Sequence, residues 1–168
     1  MGCRFLDIFL SCITHLGDAG LFWFALAVVL ILIPKTRKVG LHMGIALIFG
    51  TLVCNVTLKP LVARIRPYDA DPSIVLLVKA PHDYSFPSGH TAASFEGAVS
   101  IWMHDKKSGA AALVLASLIA FSRLYLMVHY PTDVLGGLVI GIMSAILASA
   151  VTEWIWRKYT EKNKEALS

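Results

Sequence analysis

Six chemically active side chains fall within residues 59–133 of this sequence, at spacings that suit one reaction. Lys59 is followed after six residues by Arg66-Pro67, then comes Pro87-Ser88-Gly89-His90, and then Ser122-Arg123, five residues, His129, three residues and Asp133. One lysine and two arginines can hold a tetrahedral oxyanion, the lysine as a point charge and each arginine through its planar fork. One histidine can attack phosphorus and the other can protonate the departing oxygen. A carboxylate bonded to the attacking imidazole fixes its tautomer and leaves the other ring nitrogen bare. Together they are equipment for moving a phosphoryl group on side-chain charge alone, without a metal.

Local sequence indicates how each group is presented. Pro67 biases Arg66 toward extended backbone. Ser88 is a favoured N-cap, and the free amides of the helix it would start can bind an anion, with Gly89 allowing close approach of the backbone. Pro131 stops any helix from running through His129 to Asp133, so that pair must meet across a turn. Asp133 or Thr132 is also a candidate cap for the helix that follows.

These groups need a scaffold, and composition says which kind. The chain has 168 residues, 57% hydrophobic and only 15% charged, with mean hydropathy +0.68. Soluble domains average roughly 25% charged residues, so an all-α, integral membrane helical bundle is expected, as a single domain over 1–168. A bilayer core needs about 20 apolar residues in a helix. Residues 16–33, 39–58, 109–128 and 134–155 meet or approach that length. Residues 91–103 form a shorter span that carries Glu96 and opens from the Ser88-Gly89-His90 motif. Residues 3–14 alternate apolar and polar groups at helical spacing and read as an N-terminal interfacial helix. About five transmembrane helices plus that helix result.

Charge sets the orientation. Lys35, Arg37 and Lys38, then Lys106 and Lys107, fall in alternate connections, and Arg157, Lys158, Lys162 and Lys164 follow the last span on the same side. The positive-inside rule makes that side cytoplasmic, and all three motifs then face outward, periplasmic or extracellular. The formal net charge of +4 sits in these short loops and does not suggest nucleic acid. Cys3, Cys12 and Cys54 show neither a disulfide framework nor metal-ligand spacing. Leu6 stands where a Met1-Gly2-Cys3 myristoylation signal wants Ser or Thr, and Arg4, Asp7, His15 and Asp18 interrupt any cleavable leader.

The three motifs match, in order and spacing, the signature of the type 2 phosphatidic acid phosphatase superfamily: K-x6-R-P, P-S-G-H and S-R-x5-H-x3-D. The sequence resembles the membrane branch of that superfamily over residues 59–133, and every signature position is present. The resemblance implies that His129 attacks phosphorus to form a phosphohistidine. It implies that His90 protonates the leaving oxygen and then activates water, and that Asp133 orients His129. Lys59, Arg66 and Arg123, with Ser88 and the Gly89 amide, would stabilise the equatorial oxygens. No cofactor is implied. Undecaprenyl diphosphate is the first choice of lipid phosphate substrate, with phosphatidylglycerophosphate or phosphatidic acid as alternatives.

Two rivals follow from the same scaffold. A vanadate haloperoxidase would share the cradle, but its known kinds are soluble and larger. A non-enzymatic lipid transporter would tolerate loss of His90 or His129, and both are present. Among other residues, Arg64 reads as an interfacial cation, Asn55 lies one turn before Lys59, and Tyr68 and Asp69 border a possible headgroup pocket. His15 and Asp18 read as polar groups at a helix entry, and His42 and His104 lie at the other end. The loop 69–86 is the expected determinant of substrate choice.

Overall fold

The structure, a computed structural model, describes residues 4–165, with side chains to residue 162. Cys3 and the Met1-Gly2-Cys3 start lie outside the described residues. The elements are helical throughout: α1 Arg4–His15, α2 Leu21–Leu32, α3 Arg37–Thr51, α4 Lys59–Val62, α5 Pro67–Ala70, α6 Gly89–His104, α7 Lys106–Tyr125 and α8 Pro131–Glu165. Among the described residues, four stretches are long and apolar enough to cross a bilayer: Arg4–Leu32, Arg37–Ala70, Lys106–Tyr125 and Pro131–Lys162. The protein is a multi-pass membrane helical bundle. At 16 residues, α6 is about 24 Å long, the short span expected from sequence.

α6 is the hub. It packs against α2, α3, α7 and α8, and small residues let the backbones meet. A Cβ on Gly137 of α8 would lie 2.5 Å from the Ser88 carbonyl oxygen, and one on Gly141 2.7 Å from that of Ala92. Such close approach replaces the hydrophobic drive that lipid tails cannot supply between helices. Trp23, Met43, Leu47, Ala98, Ala116 and Ile119 form the buried core. Leu21, Val28, Leu32, Val139 and Leu147 point outward, as a lipid-facing surface requires.

Two expected boundaries differ. The span expected over 16–33 is interrupted by a 3-10 turn at Asp18–Gly20, where Ala19 (φ 49°) and Gly20 (φ 67°) are left-handed, so regular helix begins at Leu21. The span expected over 39–58 leaves α-geometry at Thr51 and runs as a π-helix over Leu52–Leu58 into α4. Pro60 lacks an amide and crowds the preceding turn, and a π-segment is one way to absorb that. Thr57 Oγ1 donates to the Leu52 carbonyl at 2.9 Å, satisfying part of the disturbed ladder.

α1 lies across the end of α7 rather than along it. Asp7 accepts from Tyr125 (2.7 Å), and Thr14 binds Arg123 (2.6 Å). Those contacts are seven residues apart on α1, about 10 Å of helix, but two residues apart on α7, about 3 Å. With Phe5, Leu6, Ile8 and Phe9 exposed on it, α1 has the placement of an interfacial helix.

Candidate active site

The α3–α4 end, the start of α6 and the α7–α8 connection meet at one end of the bundle. Lys38 pairs with Glu153 (2.6 Å) and His42 with His104 (3.1 Å) at the other end, away from the motif residues. Three non-glycine residues at the motif end are left-handed: Ala19, Ala63 and Met127. Each costs of order 1–3 kcal/mol, and each turns the chain beside a polar group. Ala63 ends α4 and sends Arg64 and Arg66 back toward the bundle, and Met127 swings His129 inward.

His129 is 4% exposed. Arg66 Nη1 lies 3.2 Å from its Nε2, and Asp133 Oδ2 lies 3.5 Å from its Nδ1. A guanidinium can only donate, so Nε2 carries the lone pair and Nδ1 the proton, facing the carboxylate. Burial, together with Arg66 and Arg123, brings the imidazole down to about 4 against the upward pull of Asp133. At neutral pH His129 is an uncharged base with its bare nitrogen among cations, as a nucleophile requires.

Asp133 is fully buried. It accepts from Ser85 Oγ (2.5 Å), Arg64 Nη1 (2.8 Å) and the Tyr130 amide (2.9 Å). The last bond reaches back to the residue before α8, so the capping role and the imidazole contact coexist in one carboxylate. Arg64, expected at the lipid surface, instead stacks 3.9 Å over the Tyr130 ring and steadies Asp133.

Lys59 and Arg66 are both buried and share one partner, Asp83. Arg66 Nη2 meets Asp83 Oδ1 at 2.5 Å, and Lys59 pairs with Oδ2. Burial alone would raise the Asp83 carboxyl, but Lys59 and Arg66 outweigh it and hold it at about 2. An anion therefore already occupies the seat that the motif spacing assigns to phosphate. Arg123 is buried, bonds Thr14, and has an unpartnered Nε.

Ser88 N-caps α6, with Oγ turned to Thr91 (3.0 Å) and its amide on the Asp133 carbonyl (3.0 Å). The first-turn amides of Gly89 and His90 have no partner within the helix. A Cβ on Gly89 would come within 3.1 Å of Asn55 Oδ1 and 3.8 Å of Lys59 Nζ, so the lysine sits over the helix N-terminus. Lys59, Gly89 and His90 border one cavity of about 280 Å3, which extends past Asn55 to Glu96. Glu96 is buried with Oε1 unpartnered. Tyr68 and Asp69 line a second cavity beside Arg66 and Asp83.

The structure thus gathers Lys59, Arg66, Ser88, Gly89, His90, Arg123, His129 and Asp133 at one end. Motif spacing did not single out Asp83, Ser85 or the role of Arg64. Asp83 and Ser85 lie in the loop 69–86, and only folding brings them to cations and carboxylate.

A sequence profile of the PAP2 superfamily matches residues 38–157. An undecaprenyl-diphosphatase from Sulfolobus acidocaldarius is 31% identical over 127 residues, 75% of this chain and 61% of that protein. This chain therefore spans less than two thirds of that relative's length. The crystal structure of Aquifex aeolicus LpxE superimposes with a TM-score of 0.78 at 31% identity, covering 88% of this chain and 87% of that one. The first transmembrane PAP2 type phosphatidylglycerolphosphate phosphatase from Bacillus subtilis gives 0.73 at 30% identity, covering 92% and 80%.

Proposed function

This chain belongs to the PAP2 superfamily, and we propose that it is a metal-independent membrane lipid phosphatase acting on undecaprenyl diphosphate or a related lipid phosphate. One observation carries the reading: Arg66 touches both the bare Nε2 of His129 and an anion that it shares with Lys59. A phosphoryl group taking that anion's place would lie against the nucleophile, with its oxygens on fixed cations.

The reaction then needs two displacements. His129 Nε2 attacks phosphorus, the P–O bond to the lipid breaks, and its electron pair leaves on oxygen, which takes a proton from His90. Water next attacks the phosphohistidine while His90 accepts its proton. The N–P bond breaks, the pair returns to Nε2, and orthophosphate leaves. Lys59, Arg66, Arg123 and the first-turn amides of α6 would stabilise the equatorial charge, which is where preorganised donors act most strongly. Asp133 stabilises the imidazole that carries the phosphoryl group. The site faces outward, because the basic loops gather at the opposite end of the bundle.

Undecaprenyl diphosphate is favoured by the relative of that activity. Phosphatidylglycerophosphate is the second reading, favoured by the Bacillus subtilis neighbour that covers most of the chain. The test is phosphate release by EDTA-treated protein in detergent. The panel is undecaprenyl diphosphate, phosphatidylglycerophosphate, phosphatidic acid and p-nitrophenyl phosphate. Release is expected to be fastest from the isoprenoid diphosphate and absent in His129→Ala. Release only after metal is returned, or undiminished in His129→Ala, overturns the reading.

A further inference from the structure

The one side-chain hydrogen bond that His90 makes among the described residues goes to a partner outside the signature motifs. Its Nε2 lies 2.9 Å from Asp18 Oδ1, and Asp18 Oδ2 accepts from His15 Nδ1 at 2.8 Å. The turn that carries Asp18 is shaped to this contact. Ala19 and Gly20 adopt left-handed backbone to bring the chain round, a conformation that non-glycine residues rarely visit. A Cβ on Gly17 would lie 2.6 Å from His90 Cδ2 and 3.1 Å from Cγ, so the turn presses directly on the ring. The same turn walls the cavity that Lys59, Gly89 and His90 border.

These contacts orient the imidazole. Its Nε2–Cδ2 edge faces the N-terminal turn, so the Nδ1–Cε1 edge faces away from it. We propose that Asp18 is a positioning residue for the phosphatase reaction, holding Nε2 of His90 so that Nδ1 exchanges the proton with the leaving oxygen and with water. The inference rests on the assignment of His90 as acid and base above. The proton on Nε2 stays on the carboxylate side through both steps. Nδ1–H is given to the leaving oxygen, and bare Nδ1 then takes the proton of the attacking water. His90 must become an imidazolium beside Lys59 and Arg123, and Asp18 is the carboxylate that touches it. The site thus contains two aspartate–histidine pairs. One comes from the start of α8, and the other from a turn that precedes the family-matched residues 38–157.

The test separates general-acid loss from general damage. Phosphatidylglycerophosphate expels an alkoxide and needs the proton, whereas p-nitrophenyl phosphate expels a stable phenolate and does not. In Asp18→Asn, first-turnover release from phosphatidylglycerophosphate is expected to slow about 10- to 100-fold, within the usual range of general-acid catalysis, with KM little changed. The p-nitrophenol burst is expected to stay within about 3-fold of wild type, because that step draws on no acid. Asp18→Glu, which keeps the carboxylate, should recover part of the loss, and it replaces Asp18→Asn if that protein does not fold. Equal losses on both substrates, or none on either, overturn the proposal. Wild-type rates in His90→Ala would instead remove the reaction scheme on which it rests.

Discussion

At the residue scale, the proposed chemistry turns on which anion the cations hold. Lys59 and Arg66 are buried and already paired with Asp83, whose carboxylate they keep ionised. Under the proposed function a substrate phosphate would need the same two donors, so its binding would displace Asp83 from them. Asp83→Asn removes the competing charge while keeping the shape of the side chain. Inhibition by orthophosphate should tighten about 5- to 10-fold in that variant, roughly 1 kcal/mol. A weaker inhibition constant would mean that Asp83 organises the cations rather than competing for them. The motif residues were legible because their types and intervals are specified along the chain. Asp83, Arg64 and Asp18 were not, because each earns its role from partners 17 to 72 residues away. Nothing in their immediate sequence marks those partners. Asp18 reads as a helix-entry group until the fold puts His90 beside it.

At the element scale, the site depends on how closely α8 can approach α6. The Ser88 carbonyl lies against Gly137, so any side chain there pushes on the residue that caps α6 and meets the Asp133 backbone. Gly137→Ala would place a methyl 2.5 Å from a backbone oxygen. Overpacking of this kind typically costs about 1–3 kcal/mol, so thermal unfolding in detergent should move down by several degrees and turnover should fall with it. Gly44→Ala in α3 is the control, since nothing lies within 4 Å of the added Cβ. It should be neutral or stabilise by about 0.5–1 kcal/mol through helix propensity. Similar melting for both variants would refute the packing argument. The order of the helices and the brevity of α6 were readable from runs of apolar residues. The 3-10 turn at Asp18–Gly20 and the π-segment Leu52–Leu58 were not. Hydrophobicity continues through both, and apolar composition does not report a positive φ or the adjustment around Pro60.

At the scale of the whole molecule, charge and chemistry divide the bundle into two ends. One end holds Lys35, Arg37, Lys38, Lys106, Lys107, Arg157 and Lys158 in and beside its connections. At the other end Lys59, Arg66 and Arg123 are buried close to His129, Arg64 is half-buried against Asp133, and Lys79 is exposed. The balance of lysines and arginines in short loops near the span ends orients a membrane protein. The basic residues gathered at the first end make the proposed outward orientation testable without assaying catalysis. In a variant lacking Cys3, Cys12 and Cys54, Ser73→Cys places an exposed thiol in the loop beside the site. Glu161→Cys places one at the far end of α8. A membrane-impermeant maleimide added to intact cells should label position 73 and spare position 161 until the membrane is opened. The reverse pattern would put the motif cluster on the cytoplasmic side and overturn the proposed outward orientation.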